Sequence, residues 1–358
     1  MIKVLRVIIG LIFVASGFVK AVDPVGFSFK MEEYFAPGVL NLPFLMPFSL
    51  IFSVLISTAE MLLGVALIFK IKLKYTLRFL IALCIFFAFL TFYSAFFDKV
   101  TDCGCFGDAI KFTPWQSFIK DIILLAALII LWLNYRKNFD EERPLNFAMP
   151  AFLGSVAIAA IAVYFGIQHE PLIDFRNYKI GTDLKEEKEK IALESMECET
   201  LFKLKNKKSG EVIERNQEEY LGDKSLWGED SQWEIFETVN ITKSTGYQSE
   251  ISKFIILDSS GEEITDRILN APKAVILFCY NPRNADNLLI NRTWSKILRE
   301  ENAMKLPVST VRNLIPGVEN ATMDGTAIKT IARSNPFVLT LQNGKIVEKR
   351  SAKDYIKN

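Results

Sequence analysis

The chain has 358 residues, half of them apolar, with 29 phenylalanines and a formal net charge of +1. Such a length suits two or more domains, and the near-neutral balance excludes nucleic-acid binding driven by basic charge. Apolar residues crowd the first half and charged residues the second, which predicts a membrane part followed by a soluble one.

Taken in order, the runs 4–22, 44–69, 75–97, 118–133 and 147–167 read as five spans, since a membrane helix needs about 20 mostly apolar residues. The first run exceeds a signal-peptide core of roughly 7–15 residues. It also lacks a small-residue cleavage site, so it reads as a retained span. Asp23-Pro24 stops it. Trp115 precedes the fourth run as an interfacial anchor, and Pro150 falls near the start of the fifth, where a missing N–H costs little.

Loop charges set the orientation. Lys3 and Arg6, then Lys70, Lys72, Lys74 and Arg78, then Arg136, Lys137 and Arg143 all fall on one side if there are five spans. The remaining loops hold only Lys30 in one and Lys99 and Lys111 in the other. The expected topology places the N-terminus in the cytoplasm of a bacterial cell, in its inner membrane. The third inter-span loop and everything after Ile167 then face the periplasm. Thiols there meet oxidising conditions.

Two of the five cysteines lie in that loop, in Asp102-Cys103-Gly104-Cys105-Phe106-Gly107-Asp108. Such a pair can exchange electrons as thiol and disulfide, staple the loop, or bind a soft metal. A one-residue spacing strains the disulfide ring, and strained disulfides are easier to reduce, which favours exchange over stapling. The loop offers no further soft ligand, so no metal is expected. Cys84 lies within the third span and reads as an inert apolar thiol.

Charged residues inside spans mark sites by default. Glu60 sits near the middle of the second span, as a proton carrier or as a helix–helix hydrogen-bond partner. Lys20 lies at the outer end of the first and can snorkel; Lys120 and Asp121 occupy the first turns of the fourth. With the cysteine loop, Lys20, Glu60 and Asp121 form the expected polar support, although Glu60 is expected to lie too deep to pair with Lys20. A quinone is a plausible electron sink, but no residue marks a site for one.

His169, the sole histidine, sits at a span end, which excludes chemistry using a histidine pair. The charge run 185–190 reads as a solvated linker or helix face. A hairpin is expected over 201–215 around Lys207-Lys208-Ser209-Gly210, preceded by Cys198, and a strand over 233–241. Beyond Lys253 the pattern changes. Strands are expected at 254–258, 263–264, 274–278 and 306–312, helices at 285–302 and 323–333, a hairpin over 337–349 and a short helix at 354–357. The order strand–helix–strand–helix–hairpin is that of a thioredoxin-like domain.

The first half resembles the DoxX-like and MauE-like membrane proteins in Ser16-Gly17-Phe18-Val19-Lys20 with Asp23-Pro24, in Glu60, and above all in Asp102-Cys103-Gly104-Cys105-Phe106-Gly107. MauE-like proteins are associated with periplasmic disulfide formation beside a thioredoxin-like partner. The second half is similar to that partner class: 254–261 and 274–278 look like entry strands of TlpA-like domains. Ser334-Asn335-Pro336-Phe337 looks like the loop where thioredoxins carry a cis-proline, which makes Pro336 the candidate. The resemblance implies a membrane redox module fused to its own soluble domain.

One departure matters. Thioredoxins place Cys-x-x-Cys after the strand matched by 274–278, where Pro282 and Ala285 stand here. Cys279 falls three residues early, and whether it bridges Cys198 is open. The soluble domain therefore reads as a docking unit rather than a catalyst. The expected architecture is a helical membrane bundle over 1–168, a linker and β-rich extension over 169–252, and a thioredoxin-like α/β domain over 253–358. Two function classes stay open. One is a thiol–disulfide oxidoreductase working through Cys103 and Cys105 on periplasmic thiol proteins. The other is a non-enzymatic membrane scaffold binding envelope proteins, its Cys103–Cys105 loop merely structural.

Overall fold

The computed structural model describes residues 1–100, 104, 106–110, 112–137, 139, 144–194, 197–228, 230–244 and 246–357. Among the described residues, five helical segments are long and apolar enough to cross a membrane: Ile2–Val22, Pro43–Ile68, Leu73–Phe97, Pro114–Tyr135 and Ala148–Gln168. These contain α1 (Ile2–Val22), α3 (Ser49–Ile68, after a 3-10 turn), α4 (Leu73–Phe97), α5 (Pro114–Tyr135) and α6 (Ala148–Gln168). Between α1 and α3 lies α2 (Pro24–Phe35), a helix absent from the sequence expectation. Asp23 starts it: its carboxylate accepts from the Gly26 N–H at 2.8 Å, and Pro24 takes the first helical position. The dipeptide that ends the first span is thus also an N-cap followed by a first-turn proline.

Small residues let α1 and α3 touch backbone to backbone. A Cβ at Gly17 would lie 2.4 Å from the Met61 nitrogen, and one at Gly64 would lie 2.7 Å from the Gly10 carbonyl oxygen. Gly166 brings α6 equally close to Val22 and Pro24. Around this contact Ile9, Phe13, Leu67, Leu77, Leu80 and Leu128 are buried. Phe79, Phe89, Ile123, Ile130, Ile158 and Ile161 face outward, the apolar surface a bilayer requires. Arg6, buried at the opposite end, donates to the last carbonyls of α3, Leu67 at 2.6 Å and Ile68.

The C-terminal region is built of sheets and helices, and among the described residues no sheet closes into a barrel. The charge run forms α7 (Leu184–Leu193). A three-stranded antiparallel sheet follows, from β1 (Glu197–Asn206), β2 (Val212–Asn216) and β3 (Trp233–Ser244), with α8 (Gln217–Gly222) after β2. Next come α9 (Thr265–Leu269), β4 (Ala274–Cys279), α10 (Asn287–Ile297), β5 (Met304–Ser309), β6 (Ala321–Thr322), α11 (Gly325–Ile331), β7 (Phe337–Gln342), β8 (Lys345–Ser351) and α12 (Ala352–Lys357).

Their sheet has the order β6-β5-β4-β7-β8, with β5 parallel to β4 and the β7–β8 hairpin antiparallel. All six residues of β4 are buried, as a central strand covered on both faces demands. Phe278, Phe337 and Leu339 join Tyr178 and Leu184 on one face; Val275, Leu277 and Trp294 fill the other. The strands expected at 254–258 and 263–264 shrink to bridges of Leu257 with Glu263 and Thr322. The Asp258 carboxylate accepts from the backbone N–H groups of Ser260, Gly261 and Glu262 and so folds this stretch into a side-chain-tied turn.

The glycine contact generates a prediction. Gly17→Val places a branched side chain against the α3 backbone, which has no rotamer to yield. Overpacking of this kind should cost about 1–3 kcal/mol. A melting temperature in lipid nanodiscs equal to that of the native chain would show that the two helices do not depend on this approach.

Candidate functional site

Inside the bundle the predicted polar residues meet. Lys20 Nζ lies 2.8 Å from Glu60, both side chains are 2% exposed, and Ser16 bonds both partners. This corrects the expectation that Glu60 lies too deep to reach Lys20. Helical side chains lean toward their own N-terminus. In antiparallel α1 and α3 the Lys20 chain therefore reaches inward while Glu60 leans outward, and the close approach at Gly17 completes the contact. The ammonium also lies 5.3 Å and 5.1 Å from the ring centres of Phe27 and Phe87.

Asp121 is held by Lys120 and by the Thr91 hydroxyl at 3.2 Å. A cavity of about 20 Å³ joins Lys20, Glu60, Cys84, Phe106, Lys120 and Asp121. It has room for a water but not for a quinone ring. Phe106, which follows the cysteine motif in sequence, is the loop residue that borders this cavity.

Cys103 and Cys105 lie outside the described residues, as does the Cys198 side chain. Their described neighbours fix the loop's surroundings. Gly104 and Gly107 adopt φ of 62° and 53°, left-handed values that glycine takes without strain. A Cβ at Gly104 would meet Lys30 Cγ at 3.1 Å. Phe106 bridges to Ile110, and Asp108 accepts from Arg333.

Arg333 comes from the far part of the chain. It sits just past α11, is 7% exposed, and ties Asp108 to Asp23, whose Oδ2 lies 2.8 Å from its Nε. Glu170, two residues after α6, accepts from the backbone N–H groups of Arg333 (3.1 Å) and Ser334 (2.9 Å) and from the Ser334 hydroxyl (2.5 Å). Glu170 also receives Arg176 Nη2 at 3.1 Å, and Arg176 Nε reaches Asp174 at 2.6 Å. Lys349 closes the network on Asp174 and on the Tyr178 and Ile331 carbonyls. Burial alone would raise the Glu170 and Asp174 carboxyls. The Arg176 and Lys349 charges outweigh it and hold both below their ordinary values. Burial, followed by the Arg176 charge, brings the Lys349 ammonium down to about 8.

Two further contacts cross the same junction. His169 Nδ1 lies 2.8 Å from Asp354, and Lys329 Nζ lies 3.3 Å from Glu32 and 4.3 Å from the centre of the Phe29 ring. The Asn335–Pro336 peptide bond is cis, and the loop containing it adjoins Arg333. Cys279 is a free, fully buried thiol that burial pushes up to about 11, unsuited to exchange. Between the halves lies a cavity of about 490 Å³ bordered by α2, Gly104, Gly107, Asp108, the 171–178 segment and α11.

Arg333, Glu170, Asp174, Arg176 and Lys349 were invisible to sequence patterning, because their partners lie up to 310 positions away. The Asp23-Pro24 pair alone carried a readable signal, as a helix start.

Residues 1–134 match the family model described as methylamine utilisation protein MauE. The match covers 134 of the 358 residues and takes in α1 to α5 up to position 134, together with the cysteine loop. No curated protein and no solved structure matches the chain. The five apolar helices and this match place the chain among proteins that live in a lipid bilayer.

Two predictions follow from the buried charges. Lys20→Met strands a buried carboxylate and should cost about 3–5 kcal/mol, whereas Lys20→Met with Glu60→Leu should recover most of that loss; additive losses in thermal melts would contradict the pairing. The second concerns pH. Carboxyls with lowered folded values contribute stability that is present above their ordinary values of 4.5 (Glu170) and 3.8 (Asp174) and is lost as pH falls below them. Protease cutting between the two halves should rise on acidification through pH 4.5 to 3 and beyond (roughly, given how far such carboxyls shift). Glu170→Gln should flatten that rise, and an unchanged profile would remove Glu170 from the junction.

Proposed function

We propose that the chain is a bacterial inner-membrane thiol–disulfide redox protein. In this reading the bundle (1–168) presents Cys103 and Cys105 at the periplasmic face, and the N-terminus is cytoplasmic. The 253–358 region, with the 169–252 extension leading into it, is a non-catalytic thioredoxin-like domain that docks periplasmic thiol proteins. The observation that carries the proposal is the seat of the Arg333–Pro336 loop on the cysteine loop, through Arg333 and Asp108. Here that loop lies against the segment holding the candidate thiols.

The basic residues flanking α1, between α3 and α4, and after α5 support the orientation. The strand order and the MauE match support the assignment of parts. Pro282 and Ala285 occupy the positions of the missing thiols, and Cys279 is buried, so exchange falls to Cys103 and Cys105. One thiolate attacks a client disulfide to give a mixed disulfide, and the other displaces the client thiolate and closes the Cys103–Cys105 bridge. Two electrons and two protons leave the protein dithiol for the client, and the reverse step oxidises a client dithiol. Relative reduction potentials set the direction.

The test is trapping. Cys103→Ser and Cys105→Ser each retain one thiol, and the variant retaining the attacking one should accumulate a mixed disulfide, visible as a gel shift after acid quenching and alkylation. The double variant should share the functional loss of the singles, because the pair acts as a unit. If neither single variant yields a cross-linked species and the double variant supports normal envelope function, the loop is structural and the chain is a scaffold.

A further inference from the structure

One end of the five-stranded sheet faces the bundle. β5 runs parallel to β4 and β7 antiparallel to it, so the C-terminal ends of β4 and β5 and the start of β7 lie at the same end. β8, antiparallel to β7, finishes there too. The bundle contacts gather at that end. The Tyr280 ring after β4 meets Phe29 of α2 edge to face at 5.7 Å, Arg333 before β7 takes Asp23 and Asp108, and Asp354 after β8 takes His169. Asp23 and His169 directly follow the apolar spans α1 and α6, so this end of the sheet stands at the level of the lipid headgroups.

Around these contacts the same end carries a basic rim. Arg283 follows β4, Leu288 and Arg292 lie on successive turns of α10, Val311 and Arg312 follow β5, and Lys353 lies in the first turn of α12. All six are exposed, Leu288 by 68% and Val311 by 41%. Among the described residues, none of the four basic side chains has an ion-pair or hydrogen-bond partner. The acidic residues of 280–292 and 309–320 are Asp286 and Glu319, and Asp286 is engaged in capping α10, where it accepts from the Leu288 and Leu289 N–H groups.

Leu288 and Arg292 also form the lower lip of a groove of about 860 Å³ between α10 and α12, whose lining continues through Lys296, Arg299, Glu300 and Glu301. Glu300 pairs with Lys273, which precedes β4 at the opposite end of the sheet. The 11 residues of α10 rise about 16 Å, beyond the roughly 8 Å over which a charged surface is felt at physiological salt. Only the lower lip therefore belongs to the rim.

We propose that this rim docks on anionic phospholipid headgroups, with Arg283, Arg292, Arg312 and Lys353 on lipid phosphates and Leu288 and Val311 set among them. Position and charge select this occupant. The spans place a bilayer beside this end of the sheet, and the charges left unpaired there are positive. Guanidinium groups take phosphate in forked hydrogen bonds, and each basic residue at an anionic membrane surface strengthens association about fivefold. The contact continues the junction with the bundle outward and depends on no thiol chemistry.

The experiment uses the full chain in nanodiscs of phosphatidylcholine alone and in nanodiscs of an equal mixture of phosphatidylcholine and phosphatidylglycerol. Backbone hydrogen exchange is followed over 280–292 and 309–314. It should slow about fivefold or more in the anionic discs, and high salt should remove the difference. Arg283→Glu with Arg312→Glu reverses charge at two exposed positions that hold no bond, so the fold should stand and the difference should vanish. Lys207→Glu with Lys208→Glu makes the same charge change on the turn between β1 and β2 and should leave the difference in place. Equal exchange in the two kinds of disc overturns the proposal. So does an equal loss in the Lys207 and Lys208 variant, which would make the effect one of net charge rather than of this rim. Protection produced as fully by inorganic phosphate in neutral discs would assign the rim to a free anion and overturn it as well.

Discussion

The guanidinium of Arg333 holds the molecule together at the one place where its two halves must agree. It takes Asp23 from the α1–α2 junction and Asp108 from the cysteine loop, and its backbone N–H is held by Glu170 beyond the last span. A planar fork can satisfy two carboxylates at once in a way an ammonium cannot. From Glu170 the network runs through Arg176 and Asp174 to Lys349 on β8. Arg176, Arg333 and Lys349 are buried, so removing any one of them leaves carboxylates uncompensated, at a cost of about 3–5 kcal/mol for a buried pair. The C-terminal region is therefore seated on the bundle by geometry-specific bonds rather than by a sliding apolar face.

The bundle repeats the same logic at a deeper level. Helices do not associate in lipid through the hydrophobic effect; they need close packing and internal polar bonds. Gly10, Gly17 and Gly64 provide the first and Lys20–Glu60 the second. Each depends on the other, since the pair closes only because the backbones approach at Gly17. Asp121, Lys120 and Thr91 extend the polar cluster toward Phe106 and the cysteine loop.

Local features of the chain were readable because they depend on near neighbours. The five spans emerge from apolar runs, and the hairpin at Gln342-Asn343-Gly344 from its turn residues. β4 reads as a buried strand because six consecutive buried positions leave no polar face to write. Where local bonds compete with the sheet, the sequence misled. Asp258 ties its own turn, so the expected strands around it shrink to single bridges. Asp23-Pro24 signals both a helix end and the start of α2, and the apolar pattern of the first span marks only the end.

The amino-acid sequence by itself determined the apolar helices, the two-part organisation, the position of the cysteine motif and the absence of a Cys-x-x-Cys pair after β4. Each of these is a matter of composition or spacing along the chain. Only the tertiary structure decided that Lys20 meets Glu60, that Arg333 closes on the cysteine loop and that a cavity remains between the halves. Those outcomes turn on helix tilt, side-chain direction and the meeting of charges separated by as many as 310 positions. No periodicity encodes such meetings, because a buried charge selects its partner by distance in space.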